Sequence, residues 1–412
     1  MHLFLNGLAA SSGGALTYLK NVIPHLSSKT GLQTTIAAQP FLRQEFGTLP
    51  RISFVEIPNP GSVARRFWHE QTVLPQLIRK SGADVLLSTG NIALRKSPVP
   101  QILLSRNSLY TSADFFRDLH ARRDYRLWID TKMRGAIAKR SISWADCTVA
   151  PTQAFAEELR VWTGHNIATI HHGFDHRLFF GGADPLPEDL HRKLESNQNA
   201  LRLLLVSQYN YYRNFETLLR ALPILQQQLP GRKLVLFLTC TLGSEVHPGQ
   251  FRSNKVSSLV HRLGIKTQVI ELGAVSYHFL HHLYRACDVY VTAAYAETFA
   301  HPLVEAMASG IPIVASDIPV HREICDDTAL YFERFSANEL ATQVARVLGS
   351  PELGCRMSES GKHRSAGYSW EKHVDALLEL SREMLAKRNS ANPCHSINAN
   401  LDAPAFRPEF TL

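Results

Sequence analysis

The chain lacks any apolar run of the ~18 residues that a membrane-spanning helix needs. No spanning segment is therefore expected. Its start, Met1-His2-Leu3-Phe4-Leu5, has no Lys or Arg ahead of the apolar residues and breaks at Asn6-Gly7, so it reads as a strand rather than a signal peptide. Cysteine is sparse. Cys147, Cys240, Cys287, Cys325, Cys355 and Cys394 form no Cys-x-x-Cys pair and no metal-ligand spacing, which points to reduced thiols in a cytoplasmic protein. No G-x-G-x-x-G string occurs, which disfavours a dinucleotide dehydrogenase. Acidic residues are short in one half only. Residues 1–198 hold 23 Lys/Arg against 16 Asp/Glu, whereas 199–412 hold 21 against 20. A basic half beside a neutral one suggests an anionic partner for the first half, or simply a solvated basic face. Nucleic acid is not expected, since no recognition motif accompanies the charge.

What is present is enough for two domains: 412 residues, 45% of them hydrophobic and 19% charged. Short β-branched or apolar runs at 1–5, 33–38, 51–55, 83–87, 100–104 and 145–150 read as strands, and so do those at 201–206, 234–239, 268–271, 288–292, 311–315 and 329–332. Helical spacing recurs between them, for instance at 15–27, 62–81 and 215–228, and closes the chain at 336–349, 352–365 and 370–387. Such alternation predicts an α/β fold of parallel sheets covered on both faces, with ligands beyond the carboxyl ends of the strands.

The most informative stretch runs from Val289 to Asp317. It reads as strand, loop, short helix and strand, with Pro302 in the first helical turn and Gly310 ending the helix. The helix start offers free N–H groups and the positive end of a dipole, which suits an anion such as a diphosphate on the amides of Ala300 to Leu303. Glu305 could then accept hydrogen bonds from a vicinal diol such as a ribose, and Glu297 from sugar hydroxyls. Two glutamates eight residues apart are weak evidence taken alone, because a Glu in the first turn also favours the helix dipole.

The full string, E-T-F-A-H-P-L-V-E-A-M-A-S-G-I-P-I-V-A-S from Glu297, is similar to the Glu-x7-Glu signature of retaining glycosyltransferase family 4, roughly E-G-F-G-L-P-x-x-E-A-M-A-x-G-x-P-V-V-A-S. The resemblance covers about 1–387, and implies a GT-B fold of two Rossmann-like doubly wound domains facing a cleft. It implies an acceptor domain at 1–178, a nucleotide-sugar domain at 179–368, a helix at 369–388 crossing back to the first domain, and a disordered tail at 389–412. Thr298, Ala300 and His301 depart from the pattern where the family usually has Gly, Gly and Leu.

Other positions take roles from the same resemblance. Gly13-Gly14 matches a loop touching donor or acceptor. Arg106-Asn107 stands where many members carry a His-containing pair, on the acceptor side. Ser207 to Asn214 matches G-R-x-x-x-x-K-N, with Gln208 at the Arg place and Arg213 at the Lys place, so one diphosphate-clamping cation remains instead of two. Asn214 belongs to that motif, and Gly273 matches a loop against the nucleotide base. Phe299 and Leu303 belong to the donor loop. His171-His172-Gly173 matches the hinge motif I-x-N-G-V-D with His172 in place of Asn, and His321-Arg322-Glu323 a loop with an Arg-Glu pair. No third ligand follows His171-His172 at metal-binding spacing, and no Asp-x-Asp triplet occurs.

The implied function is a retaining, metal-independent hexosyltransferase without a cofactor. Its donor would be a UDP- or GDP-linked sugar and its acceptor a glycan or lipid-linked hydroxyl, in cell-surface polysaccharide or glycolipid synthesis. Glu297 and Arg213 are the expected catalytic residues. A GT-B nucleotide-sugar-binding protein with weak or no transfer activity, and a nucleotide-sugar epimerase, are the alternatives. Residues 106–140 hold nine Lys/Arg and four Asp, and within them 113–140 carries a series of apolar residues spaced three or four apart. This segment fits either an ordinary helix packed on the sheet or peripheral contact with an anionic membrane at its inner, cytoplasmic face.

Overall fold

The computed structural model describes residues 1–10, 13–58, 61–182, 184–243, 247, 249 and 251–391. The first sheet contains β1 (His2–Asn6), β2 (Gln33–Ala38), β3 (Ile52–Glu56), β4 (Val85–Ser88), β5 (Gln101–Leu104), β6 (Cys147–Ala150) and β7 (Ala168–Thr169), in the order β3-β2-β1-β4-β5-β6-β7. The second contains β8 (Leu201–Leu205), β9 (Leu234–Leu238), β10 (Val269–Glu271), β11 (Val289–Thr292), β12 (Ile313–Ser316) and β13 (Ala329–Phe332), in the order β10-β9-β8-β11-β12-β13. Every pairing in both is parallel. The strands carry near-continuous apolar residues because both faces are covered by helices. Strand order reverses at β1/β4 and at β8/β11, the two points where an open parallel sheet leaves a crevice beyond its carboxyl edge.

Eight helices bear on the site. They are α1 (Gly13–Ser28), α2 (Ala113–Arg122), α3 (Tyr125–Ile142), α4 (Gln153–Thr163), α5 (Phe215–Gln228), α6 (Tyr277–Ala286), α7 (His301–Ser309) and α8 (Trp370–Ala391). Helix α8 packs on the first half: Trp370, Val374 and Leu377 share a core with Leu19 and Val22 of α1 and with β1. Gly173 allows this return, since a Cβ there would lie 2.0 Å from the Trp370 amide nitrogen. The halves are also fused by apolar contacts at the seam. Phe155 and Leu159 of α4 join Phe299 and Leu303, and Phe115 and Leu119 of α2 join Tyr209 and Phe215.

Several elements differ from the sequence reading. The span 62–81 is two helices, Val63–Thr72 and Leu74–Ser81, because the second restarts with Pro75 in its first turn. The span 113–140 is likewise broken, by Arg123 in the left-handed region (φ 57°), giving α2 and α3. The polar segment 180–199 contains a helix, Glu188–Glu195, whose Leu190 and Leu194 are buried. Helix α8 runs through Ala391, beyond its expected end, and residues 392–412 of the expected disordered tail lie outside the described residues. No helix among the described residues is long and apolar enough to cross a membrane.

Candidate active site

Helix α7 starts as its sequence dictates. Ala300 precedes it in the left-handed region (φ 61°), Pro302 occupies the first turn, and Gly310 closes it at φ 72°. Not all of the expected anion donors survive. Pro302 has no N–H, and the Leu303 amide donates to the Ala300 carbonyl at 2.9 Å. The amides left at this helix start are those of Ala300 and His301.

Two side chains expected to share the donor are already in contact. An Arg213 Nη nitrogen is ion-paired with the Glu297 carboxylate, and the two side chains are 18% and 9% exposed. They meet because β8 and β11 are neighbours and each residue follows the carboxyl end of its strand. Arg213 closes a short 3-10 turn (Tyr211–Arg213) whose start is capped by Asn210, the Arg213 amide donating to Asn210 Oδ1 at 3.0 Å. Among the described residues Arg213 Nε is buried without a hydrogen-bond partner, an orphan donor of the kind a phosphate oxygen satisfies. Gln208 is exposed and brings no charge.

Glu305 lies behind this pair and is only 6% exposed. Tyr284 of α6 donates to its Oε2 at 2.9 Å. Burial pushes the Glu305 carboxyl up to about 7, with the Tyr284 hydrogen bond acting in the opposite direction. Tyr284 escaped the sequence reading, because it sits among the apolar positions of an amphipathic helix.

A second group converges from both halves. His172 Nδ1 and His301 Nε2 are 3.2 Å apart, with stacked rings. His373 of α8 bonds the Tyr18 hydroxyl of α1 at 2.9 Å. The Arg106 guanidinium lies over the Tyr18 ring, 4.3 Å from its centroid, and donates to the Thr89 carbonyl at 2.7 Å. Burial is the main cause holding His172 well below the ordinary histidine value, and His301 and His373 at about 4, with Arg106 adding to it in each case. Arg106 Nε is a further buried donor without a partner, and no salt bridge of Arg106 occurs among the described residues. Tyr18 and His373 were not singled out by sequence, since their meeting depends on the return of α8.

The remaining expected site residues divide. Gly14 is exposed in the first turn of α1, which opens with Gly13, and a Cβ at Gly14 would meet nothing within 4 Å. Gly273 has φ 79° and similarly open surroundings after β10. Asn107 Oδ1 accepts from the Leu109 amide at 3.0 Å and lines a cleft. Asn214, by contrast, is buried and holds the start of α5: its Nδ2 donates to the Arg334 carbonyl at 2.7 Å and its Oδ1 accepts from Thr217 at 3.0 Å. Its carboxamide is thus engaged by the Arg334 carbonyl and the Thr217 hydroxyl. Phe299 and Leu303 are packing residues, each 1% exposed, and the His301 ring is turned against His172 and Trp370. The side chains of the Arg322-Glu323 dipeptide turn to different partners. Arg322 chelates Asp317, and Glu323 accepts from the Gln153 and Ala154 amides at 2.7 Å, capping α4 across the seam.

A cleft of about 780 Å³ opens along the seam, with Glu297, Asp317 and Pro319 on one wall and Thr111, Asp114 and Glu158 on the other. Glu158, whose carboxyl is raised by burial, is a group that the sequence did not flag. A second cleft, of about 460 Å³, runs from Asn107 past Tyr110 to Tyr212 and Phe251. Polar ties hold the walls together: Thr152 Oγ1 donates to the Thr298 carbonyl at 2.9 Å, Tyr295 to Asp118 at 2.8 Å, and Arg334 to Asp114 at 2.7 Å.

Comparisons with known proteins agree with this architecture. Residues 187–364 match the family model "Glycosyl transferases group 1", and residues 12–178 match "Glycosyltransferase Family 4". A D-inositol 3-phosphate glycosyltransferase of Thermobifida fusca is 27% identical over 258 residues, covering 61% of this chain and 58% of that protein. An uncharacterised glycosyltransferase of Methanocaldococcus jannaschii is 27% identical over 51% of this chain and 55% of its own. The chain thus spans somewhat over half the length of these relatives. Among solved structures, sucrose-phosphate synthase of Thermosynechococcus elongatus superposes with a TM-score of 0.71 at 18% identity, covering 94% of this chain and 100% of that one. Anabaena HepE, in complex with UDP and glucose, superposes at 0.66 with 15% identity, over 93% and 100%. Both parallel sheets of a GT-B fold are present and each half is matched by its own model: the chain belongs to glycosyltransferase family 4.

Proposed function

We propose that this protein is a retaining, metal-independent glycosyltransferase that moves a hexose from a UDP- or GDP-linked donor to a hydroxyl of a glycan or lipid-linked acceptor, in cell-surface polysaccharide or glycolipid synthesis. The observation that carries this reading is the Arg213–Glu297 pair at the carboxyl ends of β8 and β11, with Arg213 Nε unpartnered beside the start of α7. A diphosphate fits there. Arg213 would turn from Glu297 to the phosphates, and Glu297, released, would accept from sugar hydroxyls. Glu305 would hold the ribose through Oε1, the oxygen that Tyr284 leaves free. Solved neighbours in complex with UDP, with UDP and glucose, and with UDP-glucose support a uridine donor.

In the reaction the anomeric C–O bond to the phosphate breaks and a bond to the acceptor oxygen forms on the same face. The acceptor proton passes to the leaving phosphate oxygen, so no protein nucleophile is required. Charge building on the leaving diphosphate is stabilised by Arg213 and by the Ala300 and His301 amides. Arg106, a half-buried cation without a carboxylate partner among the described residues, would face an anionic part of the acceptor, with Asn107 beside it. The curated relatives named for an inositol phosphate acceptor support an acceptor carrying such a group. The exposed, uncharged Gln208 favours a second reading, a nucleotide-sugar-binding protein with slow transfer.

Product analysis with an active donor–acceptor pair tests the proposal. Retention predicts that the anomeric proton coupling of the product matches the donor configuration and that turnover is unchanged in EDTA. An inverted product, or EDTA-sensitive turnover restored by a divalent cation, would contradict it.

A further inference from the structure

Helix α3 is built inside out. Over its middle turns the face it shows the protein is small or polar, with Thr131, Gly135, Ala138 and Ser141 buried, and large apolar residues pack inward only towards its ends, Leu127 and Trp128 at one and Ile142 at the other. Gly135 sits against Tyr110, where a Cβ would come within 3.4 Å of the ring's own Cβ. The face it turns outward carries Tyr125, Ile129, Met133 and Ile137, which are 51%, 52%, 61% and 38% exposed. A soluble helix buries its large apolar residues, so this inversion calls for an apolar environment outside the chain.

At about 100° per residue, a spacing of four makes the stripe slant slowly around the helix over ~18 Å. Exposed cations accompany it: Lys132 and Lys139 off one edge, Arg134 off the other, and Arg126 and Arg140 within its angular width. Arg134 is the one cation of α3 with an ion-pair partner among the described residues, Asp130 at 2.9 Å. Five Lys/Arg against one Asp on a single helix would repel a second copy of the same face, but complement an anionic surface. The helix also reaches the site. Its Arg126, Asp130 and Arg134 line the cleft of about 460 Å³ that leads to Asn107.

We propose that α3 is a membrane-docking helix: its apolar stripe enters the interface of an anionic bilayer, its cations meet the headgroups, and the cleft beside Asn107 receives an acceptor carried by a lipid. The docking stands on the helix alone, and the acceptor clause rests on the transferase reading above. Flotation of the full chain with vesicles of phosphatidylcholine, with and without phosphatidylglycerol, tests it at low and high salt. The wild-type protein is expected to float with anionic vesicles, less so at high salt. The I129D/M133D variant should float at least about tenfold less while keeping its melting temperature. Wild-type protein left in the soluble fraction with anionic vesicles at low salt, or undiminished flotation of the variant, would overturn the proposal. So would a dimer in solution that the variant splits, because the stripe would then be a self-interface. Nucleotide-sugar binding measured without vesicles keeps the two claims separate: a protein that binds donor but not lipid loses only the docking helix.

Discussion

Arg213 is ion-paired with Glu297, so the cation proposed to clamp a diphosphate is neutralised by the carboxylate proposed to hold a sugar. On that proposal, donor binding exchanges these partners. Glu297→Gln removes the competitor for Arg213 but also a strong acceptor for sugar hydroxyls. The variant should bind free nucleoside diphosphate several-fold more tightly, about 0.5–1.5 kcal/mol, and should transfer sugar far more slowly. Calorimetric titration with UDP and a turnover assay check the two effects. Weaker UDP binding would show that Glu297 does not compete for Arg213.

Gln208 is exposed and uncharged where a second clamp cation would stand. Gln208→Arg should strengthen diphosphate binding by about 1.5–3 kcal/mol, the range of a charge-assisted hydrogen bond. UDP titration at low and high salt reads this out. An unchanged affinity would place Gln208 away from the phosphates.

Glu305 titrates near 7 because it is buried. Only its ionised form offers a full pair of acceptors to a diol, so donor affinity should rise as pH increases through about 7, and Glu305→Gln should flatten the profile. The stability effect has the opposite sense. A carboxyl raised from its ordinary 4.5 contributes stability that is present below 4.5 and lost as pH rises through about 7. Donor titrations between pH 6 and 8 should therefore show tighter binding on a less stable protein.

His301, His321 and His373 are held at about 4, and His172 well below its ordinary value, chiefly by burial. Depressed histidines contribute stability that is present above 6.5 and lost as pH falls towards 4. Glu70 and Glu305, both raised to about 7, and Glu158, raised by burial, run the other way over the same range. Four lowered histidines against three raised carboxylates leave a net loss on acidification. The melting temperature should fall from pH 6.5 to 4.5, less steeply in a His172→Asn/His301→Leu variant. A melting temperature that rises on acidification would contradict this balance.

Much of the fold was legible in the sequence because it is local. The strand from Val289, Pro302 inside the next helix, and Gly310 at its end each act on near neighbours, and the observed element matches. What was not legible comes from long-range contact. His172 and His301 are 129 residues apart, and only the closure of the halves makes them neighbours. Asn214 fits the donor motif, yet its amide is taken by the Arg334 carbonyl, 120 residues away. The apolar residues of 113–140 share one spacing but meet opposite fates. Phe115 and Leu119 are buried against the second half, whereas Ile129 and Met133 face outward, and periodicity cannot say which side of a helix a domain will cover.

The central claim is that a nucleoside diphosphate sugar binds at the start of α7 with its ribose on Glu305. Its most direct test is equilibrium binding of UDP-, GDP- and ADP-linked sugars to the wild-type protein and to Glu305→Ala. At least one donor should bind, and the variant should lose about 1.5–3 kcal/mol of that affinity, the equivalent of hydrogen bonds to a charged acceptor. Equal affinity in the two proteins, or no binding of any donor to the wild type at about millimolar concentration, would contradict the account.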